Sequence, residues 1–311
     1  MPSTHILAPC APCAHCGTED PRHYCGCVEA PEYQPGDAAK TTYCGQYCQA
    51  RHWPIHKPHC IALRGRKKLV RVALILKTVL LAYREIMYDV SLDSVDFRDG
   101  TLYLHRVQNP GSLLSTHCRF PRRLTTNPEH KEAALIANRY TLALSLLFQL
   151  TQRLLEGVAS NLEVLQLTPT KKPWSTKFVP GEGPTMDPHY VFKVERVPDG
   201  ETWIIDILGC QYGYRELLVP FDRHMRKTGC KNWEKAKTYN VPETKDLDLK
   251  TAGPFPVDVE YERQARLRFA EFVKTNVDQS LLDGSIAAYG HKLGRLVFDL
   301  KIKLALFVVG D

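Results

Sequence analysis

The run Tyr43-Cys44-Gly45-Gln46-Tyr47-Cys48-Gln49-Ala50-Arg51-His52-Trp53-Pro54-Ile55-His56-Lys57-Pro58-His59-Cys60 decides how the N-terminal part of this 311-residue chain folds. Its Cys-x3-Cys-x7-His-x3-Cys pattern sets three thiolates and one imidazole at spacings that suit tetrahedral zinc. Cys44 and Cys48 are one helical turn apart, as are His56 and Cys60, so each pair shares a helix face. Pro54 punctuates the chain between the pairs, which predicts a short helical hairpin. Working outward, Cys13-x2-Cys16 and Cys25-x-Cys27 raise the candidate donors to eight. Eight donors fill two four-coordinate sites with no open position, so the metal builds structure and performs no chemistry. Some 50 residues bury too little apolar surface to fold unaided, and metal binding supplies the missing free energy.

Two ambiguities lie before residue 30. Cys10 and Cys13 also form a Cys-x2-Cys pair, but Gly17 follows Cys16 as expected after a zinc knuckle, which favours Cys13 and Cys16. The tight Cys25-Gly26-Cys27 chelate leaves His23 as a substitute donor. The stretch Val28–Tyr43 is polar and holds Pro31, Pro35 and Gly36, so it reads as a surface insertion.

The segment Tyr43–Cys60, with Cys48-Gln49, Trp53, His56-Lys57 and Cys60, resembles a MYND-type zinc finger. The resemblance implies two zincs bound in interleaved, cross-braced order. Carried over by position, one site takes Cys13, Cys16, Cys44 and Cys48, and the other Cys25, Cys27, His56 and Cys60. It also implies protein–protein interaction: such fingers bind short proline-containing peptides in a groove beside the second zinc, which Gln49 and Trp53 would line. A tryptophan face beside a polar amide suits proline rings and one backbone hydrogen bond. The expected partner is therefore a protein, in a setting of transcriptional or developmental regulation. The alternative for Trp53 is packing within the finger's small core, and for Gln49 simple solvation.

Eight of the eleven cysteines fall between residues 10 and 60. The odd total, and residues 1–9 without a basic n-region or apolar h-region, argue against a disulfide framework. The expected compartment is reducing: cytoplasm, nucleus or both. Cys118, Cys210 and Cys230 are expected as buried small hydrophobes. The net charge of +7 is not concentrated in the finger, where Arg22, Lys40, Arg51 and Lys57 face Glu19, Asp20, Glu29, Glu32 and Asp37. Nucleic acid is thus not the expected partner. The run Arg64-Gly65-Arg66-Lys67-Lys68 reads as a solvated helix start rather than an import signal or phosphate contact. No apolar run approaches the roughly 18 residues of a membrane span. The oligomeric state is not legible.

Residues 10–60 are read as the finger and 64–311 as an α+β domain with antiparallel hairpins and long helices. Apolar residues at three- and four-residue spacing predict a helix over Lys67–Tyr88 that docks the finger onto the rest. Ser94–Phe97 and Thr101–Val107 flank Asp99-Gly100, a hairpin signal. Asn127-Pro128-Glu129 opens a helix expected to run to about Gly157. Residues 168–188 read as a loop. A second hairpin joins His189–Val194 to Glu201–Asp206, and a helix follows near Pro220–Lys227. Residues 231–253 read as exposed or partly disordered, and Glu260–Val277 and Gly290–Val308 as closing helices.

One constellation outside the finger could carry chemistry. His189, Asp206 and Gln211 resemble the histidine–aspartate half of papain- or transglutaminase-like hydrolases, in which histidine activates a cysteine. The nucleophile is missing: no cysteine occupies the first turns after Pro128, and Cys118 lies upstream in Thr116-His117-Cys118-Arg119-Phe120-Pro121. The same residues also read as an ordinary sheet histidine, a turn-capping aspartate and a glutamine that satisfies buried backbone groups. No catalytic residue is assigned, and the weight falls against an enzyme. A SET methyltransferase is not expected, given the twelve residues before Cys13 and the missing Asn-His-x-x-x-Pro-Asn motif. No Walker loop, dinucleotide fingerprint or His-Glu-x-x-His occurs.

Overall fold

A computed structural model of the chain describes residues 11–19, 21–27, 29–107, 118–181, 188–197, 199–236 and 256–306. The chain divides into two compact units, Met1–Val70 and Arg71–Asp311. In the first, β1 (His23–Tyr24) pairs antiparallel with β2 (Thr42–Tyr43), and α1 (Gln46–Ile86) begins three residues later. The expected helical hairpin is instead the start of this single helix, which contains both Pro54 and Pro58. Each proline forfeits one backbone bond and crowds the carbonyl four residues back, at about 3 kcal/mol. The helix survives because Cys48, His56 and Cys60 are all buried from it, so the unit's packing holds both sides of each proline. The helix expected over Lys67–Tyr88 is the second half of α1.

The polar insertion is pinned within the first unit. Arg66, read as part of a solvated run, is buried and donates two 2.8 Å bonds to the carboxylate of Asp37. Asp37 also accepts from the backbone N–H groups of Tyr33 and Gln34. Burial opposes its charge, but Arg66 and these N–H groups hold the carboxyl below its usual range.

The second unit opens with the hairpin of β3 (Leu92–Arg98) and β4 (Thr101–Arg106). Asp99 and Gly100 both take positive φ, 49° and 68°, as a two-residue turn that follows strand twist requires. Next come α2 (Pro128–Ile136) and α3 (Tyr140–Leu155). The Asn127 side chain accepts from the N–H groups of Glu129 and His130, the expected N-cap. The single helix expected to Gly157 is broken: Asn138 turns left-handed at φ 54°, and the axes of α2 and α3 meet at 93°. Among the described residues no single helix is long and apolar enough to cross a membrane.

The main sheet comprises β5 (Ala159–Leu167), β7 (His189–Arg196), β8 (Thr202–Ile205), β9 (Leu218–Pro220) and β10 (Trp233–Lys235), in the antiparallel order β10-β5-β7-β8-β9. Between β5 and β7 in the chain lies β6 (Ser175–Val179), which pairs parallel with β4. Two loop expectations are thereby corrected. Residues 168–188 contain β6, whose Ser-Thr-Lys-Phe-Val sequence suits a strand despite the flanking prolines. Residues 231–253, read as exposed or partly disordered, contain the short edge strand β10, whose residues are exposed, while 237–253 lie outside the described residues. The α4 helix (Phe221–Thr228) follows β9, and α5 (Pro256–Asn276) and α6 (Ile286–Ala305) close the described chain.

The register assigns the faces of the sheet. Leu167 pairs with His189 and Leu165 with Val191. These residues share one face with Ile204, where Met225 of α4 and Cys230 complete a buried cluster. Val164, Phe192 and Ile205 pair across the opposite face and are also buried.

The unit also contains a buried ionic knot. Arg84 donates to the carbonyls of Leu135 and Met87 and to Asp89 Oδ1, at 2.7–2.8 Å. Arg139 reaches the second oxygen of Asp89 at 2.8 Å. Removing the carboxylate strands a fully buried guanidinium. Asp89→Ala should cost about 3–5 kcal/mol of stability, seen as a lower urea midpoint at unchanged slope. A loss below about 1 kcal/mol would show that the knot contributes no more than a surface pair.

Candidate metal centre

Two knuckles and one helix bring the eight donors of the finger together. The first knuckle is a turn closed by Gly17 N–H on the Cys13 carbonyl at 2.8 Å, with Gly17 at φ 75°. It is tied to β2 by Ala14 N–H on the Thr42 carbonyl, and by the Thr42 hydroxyl on the carbonyls of Ala11 and Pro12. Cys25 and Cys27 follow β1, Cys44 follows β2, and α1 carries Cys48, His56 and Cys60. Cys13, Cys16, Cys44 and Cys48 gather in one cluster, and Cys25, Cys27, His56 and Cys60 in a second; within each, the donor atoms lie within 4.8 Å of one another.

The separations match a common ion. Bond lengths of about 2.3 Å to sulfur and 2.0–2.1 Å to nitrogen place tetrahedral donors roughly 3.6–3.8 Å apart. The structure gives 3.6 Å for Cys16–Cys44, 3.3 Å for Cys44–Cys48, 3.5 Å for Cys25–Cys60 and 3.5 Å from Cys27 Sγ to His56 Nε2. A disulfide would need about 2.05 Å, and all ten described cysteines are free. Two structural zincs, one with four thiolates and one with three thiolates and an imidazole, fit these clusters. Cys10 lies outside the described residues. His23 is exposed on β1 and belongs to neither cluster.

Unscreened, the thiols obstruct each other's ionisation. The Cys13 thiol is drawn down to about 6, chiefly by the N–H of Cys16, while contact with Cys44 and burial push Cys48 up to about 12. In the second cluster burial raises Cys27 and Cys60. Burial opposes Cys25 as well, but the N–H of Cys27 and the adjoining thiols bring it below its usual value. A divalent cation removes this conflict, because it favours the thiolate at every position. Burial lowers His56, which keeps its imidazole in the neutral form that binds metal.

Residues 13–60 match the family model of the MYND finger. This segment is a MYND finger. Comparison with curated proteins gives no match, and comparison with solved structures gives none either. The MYND finger has almost no conventional core: its buried cluster is Cys13, Cys25, Cys27, Tyr43, Cys48, Cys60 and Leu63. Tyr43 is fully buried, and its hydroxyl lies 3.1 Å from His52 Nδ1. Trp53 is half-buried against that cluster, edge-on to His56 at 6.3 Å between ring centroids. Gln49, one turn earlier on α1, is also half-buried.

The other sequence candidate is only partly assembled. His189 Nε2 and Asp206 Oδ2 are 2.9 Å apart, and both side chains are buried. Burial works against the Asp206 charge, yet His189 and the Gly209 N–H hold its carboxyl below the usual range. Gln211 faces elsewhere: its side-chain oxygen accepts from Asn138 N–H at 3.4 Å. Cys118 pairs in a β-bridge with Tyr88, and its charged neighbours are Asp89 and Arg84. Burial raises the thiols of Cys118, Cys210 and Cys230 alike, the reverse of an activated nucleophile. The residue that sequence reading missed is His224 of α4, which joins His189 and Asp206 in a third cluster. It lies 18 residues beyond Asp206 in a charged helix, with no spacing motif to mark it.

Cys60→Ser should lower the zinc content by one ion per chain and expose the finger to proteolysis, as read by metal analysis and limited digestion. Unchanged zinc content would show that Cys60 is not a donor.

Proposed function

We propose that the MYND finger is a docking module for a short proline-containing peptide of a partner protein. The observation that carries this reading is the arrangement on α1. Gln49, Trp53, His56 and Cys60 fall within about 60° of helix arc, so the amide and indole border the second zinc cluster. His56 and Cys60 are buried, whereas Gln49 and Trp53 keep part of their surface open. A partly open indole offers a flat apolar face for proline, and the amide offers a hydrogen bond to the peptide backbone.

The module acts in a reducing compartment, cytoplasm, nucleus or both, where its thiolates keep their metal. Recruitment of a partner in transcriptional or developmental regulation is the role that suits it. Screening the full chain against an array of short proline-containing peptides should yield binders. Trp53→Ala should weaken them about tenfold or more, on the order of 1.4 kcal/mol, at unchanged zinc content. Loss of zinc in Trp53→Ala would make the indole structural, and an array without binders would contradict the docking role.

A further inference from the structure

The third cluster has the chemistry of a metal site that neither the finger nor its docking role involves. His189 at the start of β7, Asp206 just past β8 and His224 in α4 are each at least nine-tenths buried. Each brings one donor atom within 4.8 Å of the others. Beyond the 2.9 Å bond between His189 and Asp206, His189 Nδ1, Asp206 Oδ1 and His224 Nε2 are buried without a hydrogen-bond partner. Each such orphan costs about 1–3 kcal/mol. Unpartnered atoms on three residues whose donor atoms converge call for an occupant. Two imidazoles and a carboxylate are donors that a divalent cation meets at once.

We propose that His189, Asp206 and His224 bind a third divalent transition-metal ion, Zn2+, in the second unit. Imidazole and carboxylate donors suit zinc, and two atoms each about 2.1 Å from one ion lie no more than about 4.2 Å apart. The ion ties α4 to the ends of two central strands, on the face that also buries Leu165, Leu167 and Val191. Gly209 fits this arrangement. A Cβ there would stand 2.6 Å from Asp206 Oδ2, so only glycine lets the backbone approach the carboxylate.

Native mass spectrometry of the full chain saturated with Zn2+ should show three ions, and two in both His224→Gln and Asp206→Asn. A wild-type chain that holds two ions overturns the proposal, as does either variant, folded by circular dichroism, that still holds three. Cobalt substitution of the wild-type chain decides the matter even if both variants fail to fold. Two equivalents should develop thiolate-to-cobalt charge-transfer absorption, and the third should bind without adding to it. A third equivalent that adds thiolate absorption, or fails to bind, contradicts the assignment.

Discussion

The attraction between a divalent cation and converging thiolates is the constraint on which the N-terminal unit depends. Five of the seven residues in its buried cluster are cysteines, so among the described residues little apolar interior stands in for the metal. The donors alternate between sites along the chain, 13 and 16 with 44 and 48, then 25 and 27 with 56 and 60. Each ion thus closes a loop that contains donors of the other. The strand pair β1–β2 and the start of α1 carry the two ends of those loops. The Arg66–Asp37 pair does for the polar insertion what the zincs do for the knuckles: it fixes a segment too polar to be held by burial.

The second unit rests on different physics. Its antiparallel sheet buries apolar residues on both faces, and its helices supply leucine-rich cover. Within that interior lie two polar knots of unlike completeness. Around Arg84 and Asp89 the guanidinium has an acceptor for each nitrogen. Around His189, Asp206 and His224 three polar atoms have none. Buried charge persists where partners or a metal compensate it, and that contrast separates a structural knot from a binding site.

What was legible in the sequence follows from how local the cause is. Donor spacing is local, so the four donor pairs were readable from the sequence, while their interleaved assignment to two ions came from the family resemblance. Turn chemistry is local too, and Asp99-Gly100 and Asn127-Pro128 act where expected. Pro54 misled because its neighbours' burial outweighs one lost backbone bond. Asn138 carries no breaker signal beyond its tolerance for positive φ, so α2 and α3 read as one helix. The strand Ser175–Val179 was hidden by nearby prolines, since its reason for existing is a remote edge on β4. His224 was invisible because only tertiary folding brings it to a pair that sequence reading had already noticed.

The central claim is that two interleaved zincs, one with four thiolates and one with three thiolates and an imidazole, hold the finger in place of a core. Cadmium NMR of the cadmium-substituted full chain tests it most directly, because the shift reports how many sulfurs surround each ion. The account predicts two sulfur-rich resonances of different position, only one of them coupled to a histidine ring. A single sulfur-rich resonance, or two without histidine coupling, would contradict it.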